Sequence, residues 1–213
     1  MKENLINYWK KSGIITDERV LEAFQKVPRE AFILPQYINE AYGDYPLPIH
    51  AGQTISQPTT VMIMTQALEL KEGDKVLEVG AGSGYQAALI AEIVGKKGLV
   101  VSTEIISQVY EFAKANIEKL NIKNIKIICY DGSQGYPDEA PYDKIIVTAA
   151  SPDIPPPLIE QLKEGGILLI PVGGYSIFFG QKMIKAKKKN GKLIQESLGD
   201  FAFVPLKGKH GFN

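Results

Sequence analysis

One cysteine, Cys129, and two histidines, His50 and His210, are all that this 213-residue chain offers of the side chains most used in metal binding and redox chemistry. A single thiol excludes an internal disulfide and a cysteine-rich metal site, so no metal is expected, and such sparing use of cysteine suggests a reducing compartment. An excess of either charge is missing too: Lys+Arg and Asp+Glu both number 24, leaving zero net charge. That speaks against a general grip on nucleic acid, which needs a basic face. No apolar stretch approaches the roughly 20 residues of a membrane span. The N-terminus lacks a signal-like apolar core. The expectation is a cytoplasmic monomer with no membrane and no nucleic-acid partner. Repeats and low-complexity segments are absent as well. What is present is ordinary for a globular chain: 45% hydrophobic and 23% charged residues, enough to bury a core without staples.

Residues 1–73 read as an N-terminal helical and loop region. Asn4 to Val27 has helical spacing in two pieces, split at Ser12-Gly13, with Thr16 or Asp17 placed to cap the second. Tyr42 to Gln57 is rich in Gly, Pro and polar residues and reads as an extended loop. Pro58 suits a first helical turn, and Val61, Met64 and Leu68 continue at helical spacing. Residues 74–213 alternate strand and helix. Strands are expected at Lys75–Val79, Leu99–Thr103, Ile125–Cys129, Lys144–Thr148 and Ile167–Pro171, with helices at Tyr85–Val94, Ile106–Leu120 and Leu158–Leu162. Several strands are continuous apolar runs, as in parallel sheets covered on both faces. The pattern predicts an open, doubly wound α/β sheet. Beyond it, Phe178–Lys187 and Lys192–Ser197 flank Asn190-Gly191, a hairpin expected to add antiparallel strands at one sheet edge. Its lysines suit edge protection. The two regions are expected to form one compact unit.

The most informative stretch is Val76 to Gln86. An apolar run ends in Glu78-Val79, and Gly80, Gly82 and Gly84 follow before a helical pattern. Glycines let a backbone approach a ligand closely. The helix start beyond them presents free N–H groups to an anionic group. Gly82-x-Gly84-x-x-Ala87 satisfies a loose dinucleotide pattern. Two details favour S-adenosylmethionine instead. Glu78 completes E-x-G-x-G-x-G, the form typical of class I methyltransferases, in which Ser83 also lies in the turn. Glu104 ends the second strand, where a carboxylate accepts both ribose hydroxyls, although NAD folds share that device. Asp131-Gly132 ends the third strand; it suits an adenine contact or an ordinary turn. Upstream, Ser56 or Gln57 ahead of Pro58 suits a helix cap.

Taken together, Gly52-Gln53-Thr54-Ile55-Ser56-Gln57-Pro58 beside Val76–Ala88, with Val27–Phe32, Pro46–Ile49, Tyr142-Asp143, Val147–Ala150, Gln161–Gly166, Pro171–Gly173 and Phe203–Leu206, make the chain resemble the protein-L-isoaspartate (D-aspartate) O-methyltransferase family over most of its length. The departures are small: Ala81, Ile105 and Tyr130 stand where threonine, arginine and glycine are common in the family. The resemblance implies a Rossmann-like class I fold, S-adenosyl-L-methionine as cofactor, and damaged proteins and peptides carrying isoaspartyl residues as partners. It implies Ser56 as the active-site residue, orienting a carboxylate rather than moving a proton. Thr54, Ile55 and Gln57 would line its loop, and Ala149, Ala150 and the Ser151–Pro157 stretch the opposite wall. Neither histidine is a convincing base: His50 reads as structural, and His210 lies in a terminal segment expected to be mobile. A methyltransferase of RNA or small molecules, an NAD-dependent oxidoreductase and a non-catalytic binding module are the alternatives, each fitting fewer of these residues.

Overall fold

The computed structural model describes residues 1–174 and 180–212. Two helices open the chain, α1 (Lys2–Ser12) and α2 (Glu18–Lys26). Gly13 ends the first at φ 70, and the Asp17 side chain caps the second by accepting from the Arg19 N–H. Leu21 and Phe24 of α2 are buried, and Trp9 of α1 meets Phe24 edge-on at 4.8 Å. Burying each such side chain stabilises the fold by about 1.5–3 kcal/mol.

The Tyr42–Gln57 stretch is more ordered than its composition suggests. It contains a short antiparallel pair, β1 (Leu47–Pro48) and β2 (Thr54–Ile55), joined through a turn at His50–Gly52 in which Ala51 takes φ 55. The next helix, α3 (Pro58–Ala67), starts at Pro58 as expected. Neither Ser56 nor Gln57 caps it with a side chain. Asp44 does, its carboxylate accepting from the Thr59 N–H at 2.9 Å and the Thr59 hydroxyl at 2.7 Å.

From there the alternation holds: β3 (Lys75–Val79), α4 (Tyr85–Val94), β4 (Leu99–Glu104), α5 (Ser107–Lys119), β5 (Ile125–Cys129), β6 (Tyr142–Val147), α6 (Pro156–Gln161), β7 (Leu162–Gly173), β8 (Gln181–Lys189) and β9 (Lys192–Phe201). They build one seven-stranded sheet in the order β5-β4-β3-β6-β7-β8-β9. The first five in that order are mutually parallel; β8 and β9 are added antiparallel. Asn190 (φ 53) and Gly191 (φ 72) make the expected hairpin turn, and the Glu164 carboxylate accepts from the Gly191 N–H at 3.2 Å. Phe178, expected to start that hairpin, lies outside the described residues.

Strand β7 is longer than its apolar run because Leu162 pairs with Tyr142 before a register shift. Strand β6 starts two residues earlier than expected for a related reason. Asp143 interrupts the apolar pattern, yet its carboxylate is committed to Lys163 at 2.7 Å and to the Lys75 N–H at 2.8 Å.

Chain order reverses between β3 and β6, so a crevice opens at their carboxyl ends. The N-terminal helices close over one side of it: Ile6, Trp9, Phe24 and Val61 share a buried cluster with Tyr85 and Leu89 of α4 and Val109 of α5.

The C-terminal segment is held rather than loose, against expectation. Leu206 N–H donates to the Ala150 carbonyl at 2.7 Å, and Ala150 N–H donates to the Val204 carbonyl at 2.8 Å. Lys209 N–H reaches the Asp131 carboxylate at 2.9 Å, and His210 N–H reaches the Ser133 hydroxyl at 3.0 Å. The tail therefore spans the ends of β5 and β6. No helix among the described residues is long and apolar enough to cross a membrane.

Candidate active site

Two chambers lie at the switch point. The first is bounded by the Gly80–Gly82 turn, the end of β4 and the tail. The second lies between the Ser56 loop, α3 and the start of α4. Thr54, Gly82 and Thr148 border both.

Glycine is required at the centre of this arrangement. Gly80 has φ 97, and a Cβ there would collide with the Thr148 hydroxyl. That hydroxyl donates to the Gly80 carbonyl at 2.6 Å and ties the β3 turn to the end of β6. Gly132 meets the same constraint, since a Cβ would strike Thr103 and Val79. Backbone thus forms the floor of the first chamber, as close approach of a ligand demands.

Glu104 supplies its negative charge. Its carboxylate accepts from Gly82 N–H at 3.1 Å and Ile106 N–H at 3.0 Å. Burial pushes its carboxyl above the usual range, opposed by the Ile106 and Gly82 N–H groups and by the Lys207 charge. Two oxygens with about four acceptor sites leave room for further donors.

Of the residues singled out from sequence, Gly80, Gly82, Glu104, Gly132, Thr54 and Ala149 line the first chamber. Ser56, Ile55 and Ser83 line the second. The remaining five are placed elsewhere. Glu78, expected at the cofactor, is fully buried within the sheet, where its carboxylate accepts from the Ser102 hydroxyl and one oxygen has no partner. Burial pushes its carboxyl up to about 8. Asp131, expected at adenine, faces the tail. It accepts from Ser133 N–H, Ser133 Oγ, Gln134 Nε2 and Lys209 N–H, which fills a carboxylate's capacity. Burial opposes its charge, yet these donors together hold its carboxyl below the ordinary range. Gly84 begins α4 at φ 87, packed against Ile117 rather than against either chamber. Gln57 leads into α3, and Ala150 is covered by the tail.

Sequence reasoning missed Thr148, Thr103 and the tail residues Pro205 and Lys207 as lining. A polar residue directly after an apolar strand was the available signal for Thr148; nothing local marks the tail. His50 lies outside both chambers, edge-on to Phe112 at 4.9 Å. Among the described residues no three metal-binding side chains cluster.

Crevice, acidic strand end and glycine floor suit a nucleoside whose ribose needs an acceptor, and comparison with known proteins gives that chemistry a name. A family model described as Protein-L-isoaspartate(D-aspartate) O-methyltransferase (PCMT) matches residues 1–211. A Methanosarcina mazei protein-L-isoaspartate O-methyltransferase is 50% identical over 202 residues, covering 94% of this chain and 81% of its own. One from Pyrococcus horikoshii is 49% identical over 219 residues, covering 99% and 98%. A solved Plasmodium falciparum structure, assigned to the same activity and holding S-adenosyl-L-homocysteine, superposes with TM-score 0.82 at 30% identity, covering 96% and 97%.

Proposed function

Because the chain belongs to the protein-L-isoaspartate(D-aspartate) O-methyltransferase family, and so transfers a methyl group from S-adenosylmethionine to isoaspartyl residues in protein repair, we propose how its two chambers divide that task. The first takes the cofactor: the backbone of Gly80 and Gly82 approaches it, Glu104 accepts from the ribose hydroxyls, and the Gly132 backbone faces the adenine. Asp131 serves there indirectly, by holding the tail that walls the chamber, and Glu78 by supporting the turn from beneath. The second chamber takes the isoaspartyl carboxylate, with Ser56 as the residue that orients it. The observation that carries this reading is the shared border of Thr54, Gly82 and Thr148, which brings the chambers together at one place.

An isoaspartyl linkage runs through the side chain and leaves an α-carboxylate free. With a pKa near about 3.5, that group is ionised at neutral pH and needs no general base. S-adenosylmethionine, when bound, supplies an electrophilic methyl group on a cationic sulfur. The protein's work is then to hold the carboxylate oxygen in line, within about 3–3.5 Å, with water excluded. The Ser56 hydroxyl is free for this, because Asp44 rather than Ser56 caps α3. The backbone amide nitrogen then displaces methanol from the ester to close a succinimide, whose hydrolysis partly restores aspartate.

We further take residues 1–73 as the substrate-loop region and 74–213 as the cofactor domain of one compact unit, acting as a cytoplasmic monomer with no nucleic-acid partner. Zero net charge supports the last point. The deciding experiment is methyl transfer to an isoaspartyl peptide with its aspartyl isomer as control. Transfer to the isoaspartyl form alone is expected; equal labelling of both, or of neither, defeats the reading.

A further inference from the structure

Arg29 has none of its surface exposed. It opens the 3-10 turn Arg29–Phe32 that follows α2. A guanidinium removed from water normally sits against a carboxylate, since an unpaired buried charge costs several kcal/mol. Among the described residues no carboxylate lies within the 4.0 Å of an ion pair. The acidic residues near it bond to neutral groups instead, Glu30 to the Tyr42 hydroxyl and Asp44 to Thr59, and Asp44 acts on the guanidinium only from beyond ion-pair distance.

Its partners are neutral. Nε donates to the Ala41 carbonyl at 2.8 Å and Nη2 to the Ser56 carbonyl at 2.7 Å. Its guanidinium carbon lies 5.0 Å from the Tyr85 ring centroid. Nη1 and the Tyr85 hydroxyl are both buried without a well-aligned hydrogen bond, and the hydroxyl is close enough to the guanidinium to interact with it. Burial lowers the guanidinium's proton affinity, but arginine stays charged at any ordinary pH.

A staple between two carbonyls needs N–H groups, not a net charge. The charge gains a purpose from what lies beyond it. Ser56 and Tyr85, its two contacts on that side, are walls of the second chamber. We propose that Arg29 is a positioning and specificity residue: it pins the Ser56 backbone in the chamber wall, and its positive charge, engaged in no ion pair, selects an ionised carboxylate as the group bound there. This rests on the placement of the substrate carboxylate given above.

The reaction itself says which kinetic constant responds. A carboxylate oxygen bonds to the methyl carbon as the carbon–sulfur bond breaks, and the electron pair stays on sulfur. An anion and a cation become a neutral ester and a neutral thioether. A fixed positive charge therefore favours bound substrate over product. Its removal raises KM for the peptide more than it lowers kcat.

The test uses full-length Arg29→Met and Arg29→Lys variants, with S-adenosyl-L-homocysteine affinity by calorimetry as the measure of an intact fold. Arg29→Met is expected to raise peptide KM on the order of 10-fold with a smaller change in kcat, and Arg29→Lys to recover part of that loss. The decisive readout is competition by an isoaspartyl peptide against its neutral α-carboxamide analogue. The parent enzyme prefers the carboxylate; Arg29→Met loses that preference and Arg29→Lys keeps it. An unchanged preference in Arg29→Met overturns the proposal. If that variant does not bind S-adenosyl-L-homocysteine, Arg29→Gln replaces it, keeping an N–H for Ser56 without the charge. Should neither neutral variant fold, Arg29 is a structural staple and the proposal falls. A parent enzyme inactive on isoaspartyl peptide would instead remove the function proposed above.

Discussion

Ser56 and Glu78 show how differently two polar side chains near one crevice are placed. Ser56 is half-buried at a chamber wall with its hydroxyl uncommitted to the helix that follows. Ser56→Ala is expected to lower methyl transfer roughly 10- to 1000-fold, the range of one to a few hydrogen-bond-sized contributions, with S-adenosyl-L-homocysteine affinity little changed. Near-normal turnover would take Ser56 out of the mechanism. Glu78 is sealed within the sheet, its carboxyl raised to about 8 by burial. It is therefore protonated in the folded protein at pH 7 and ionised in the unfolded chain. Such a group binds a proton on folding, so its contribution is fully present below about pH 4.3 and is lost as pH rises through about 8. Glu78→Gln keeps an acceptor for Ser102 without the titration. Chemical unfolding across that window should show a shallower fall in stability for the variant; an identical slope would mean that Glu78 is ionised inside the fold. Both residues were visible in the sequence as polar punctuation of apolar patterns. Which one faces a chamber was not, because a strand's side chains alternate faces and only the covering layer decides which face is the interior.

At the scale of elements, the helices and strands follow from local pattern, and the surprises lie in what joins them. The boundaries of β3, α4 and β5 match expectation, since each is a short apolar-rich strand or a helical run set off by the glycine or polar residues around it. The tail is different. Its amides are satisfied by Asp131, Ser133 and Ala150, which come from two distant connections. Asp131→Ala removes the acceptor of Lys209 N–H and the support of the Ser133 turn. Backbone hydrogen exchange should accelerate in residues 207–211 while β3 and β4 stay protected. Unaltered exchange there would show that the Leu206–Ala150 contact alone secures the tail. Gly208 belongs to the same contact, because a side chain at its φ of 120 would collide with the Asp131 carboxylate.

For the molecule as a whole, the chamber proposed for the cofactor draws on the β3 turn, the end of β4 and the tail at once, so its occupancy is expected to couple to global stability. A ligand that binds only the folded state stabilises it by about 2.7 kcal/mol at a hundred times its Kd. S-adenosyl-L-homocysteine should therefore raise the melting temperature of the parent protein, and NAD should not. Glu104→Ala should blunt the shift, since the ribose would lose the charged acceptor proposed for it. A full shift in that variant would dissociate Glu104 from the cofactor. A shift with NAD would reopen the dinucleotide reading that Gly82-x-Gly84 by itself permits.

The sequence by itself determined the alternation of strand and helix, the glycine turn, the acidic strand ends and the family resemblance, because periodicity, glycine spacing and motif order are properties of neighbouring residues. Tertiary structure alone decided that the Asp131 carboxylate bonds the tail, that Asp44 and not Ser56 caps α3, and that a charged Arg29 stands outside any ion pair behind Ser56. Each of those outcomes depends on hydrogen bonds or burial among groups far apart in the chain, and no local pattern carries the distance between them.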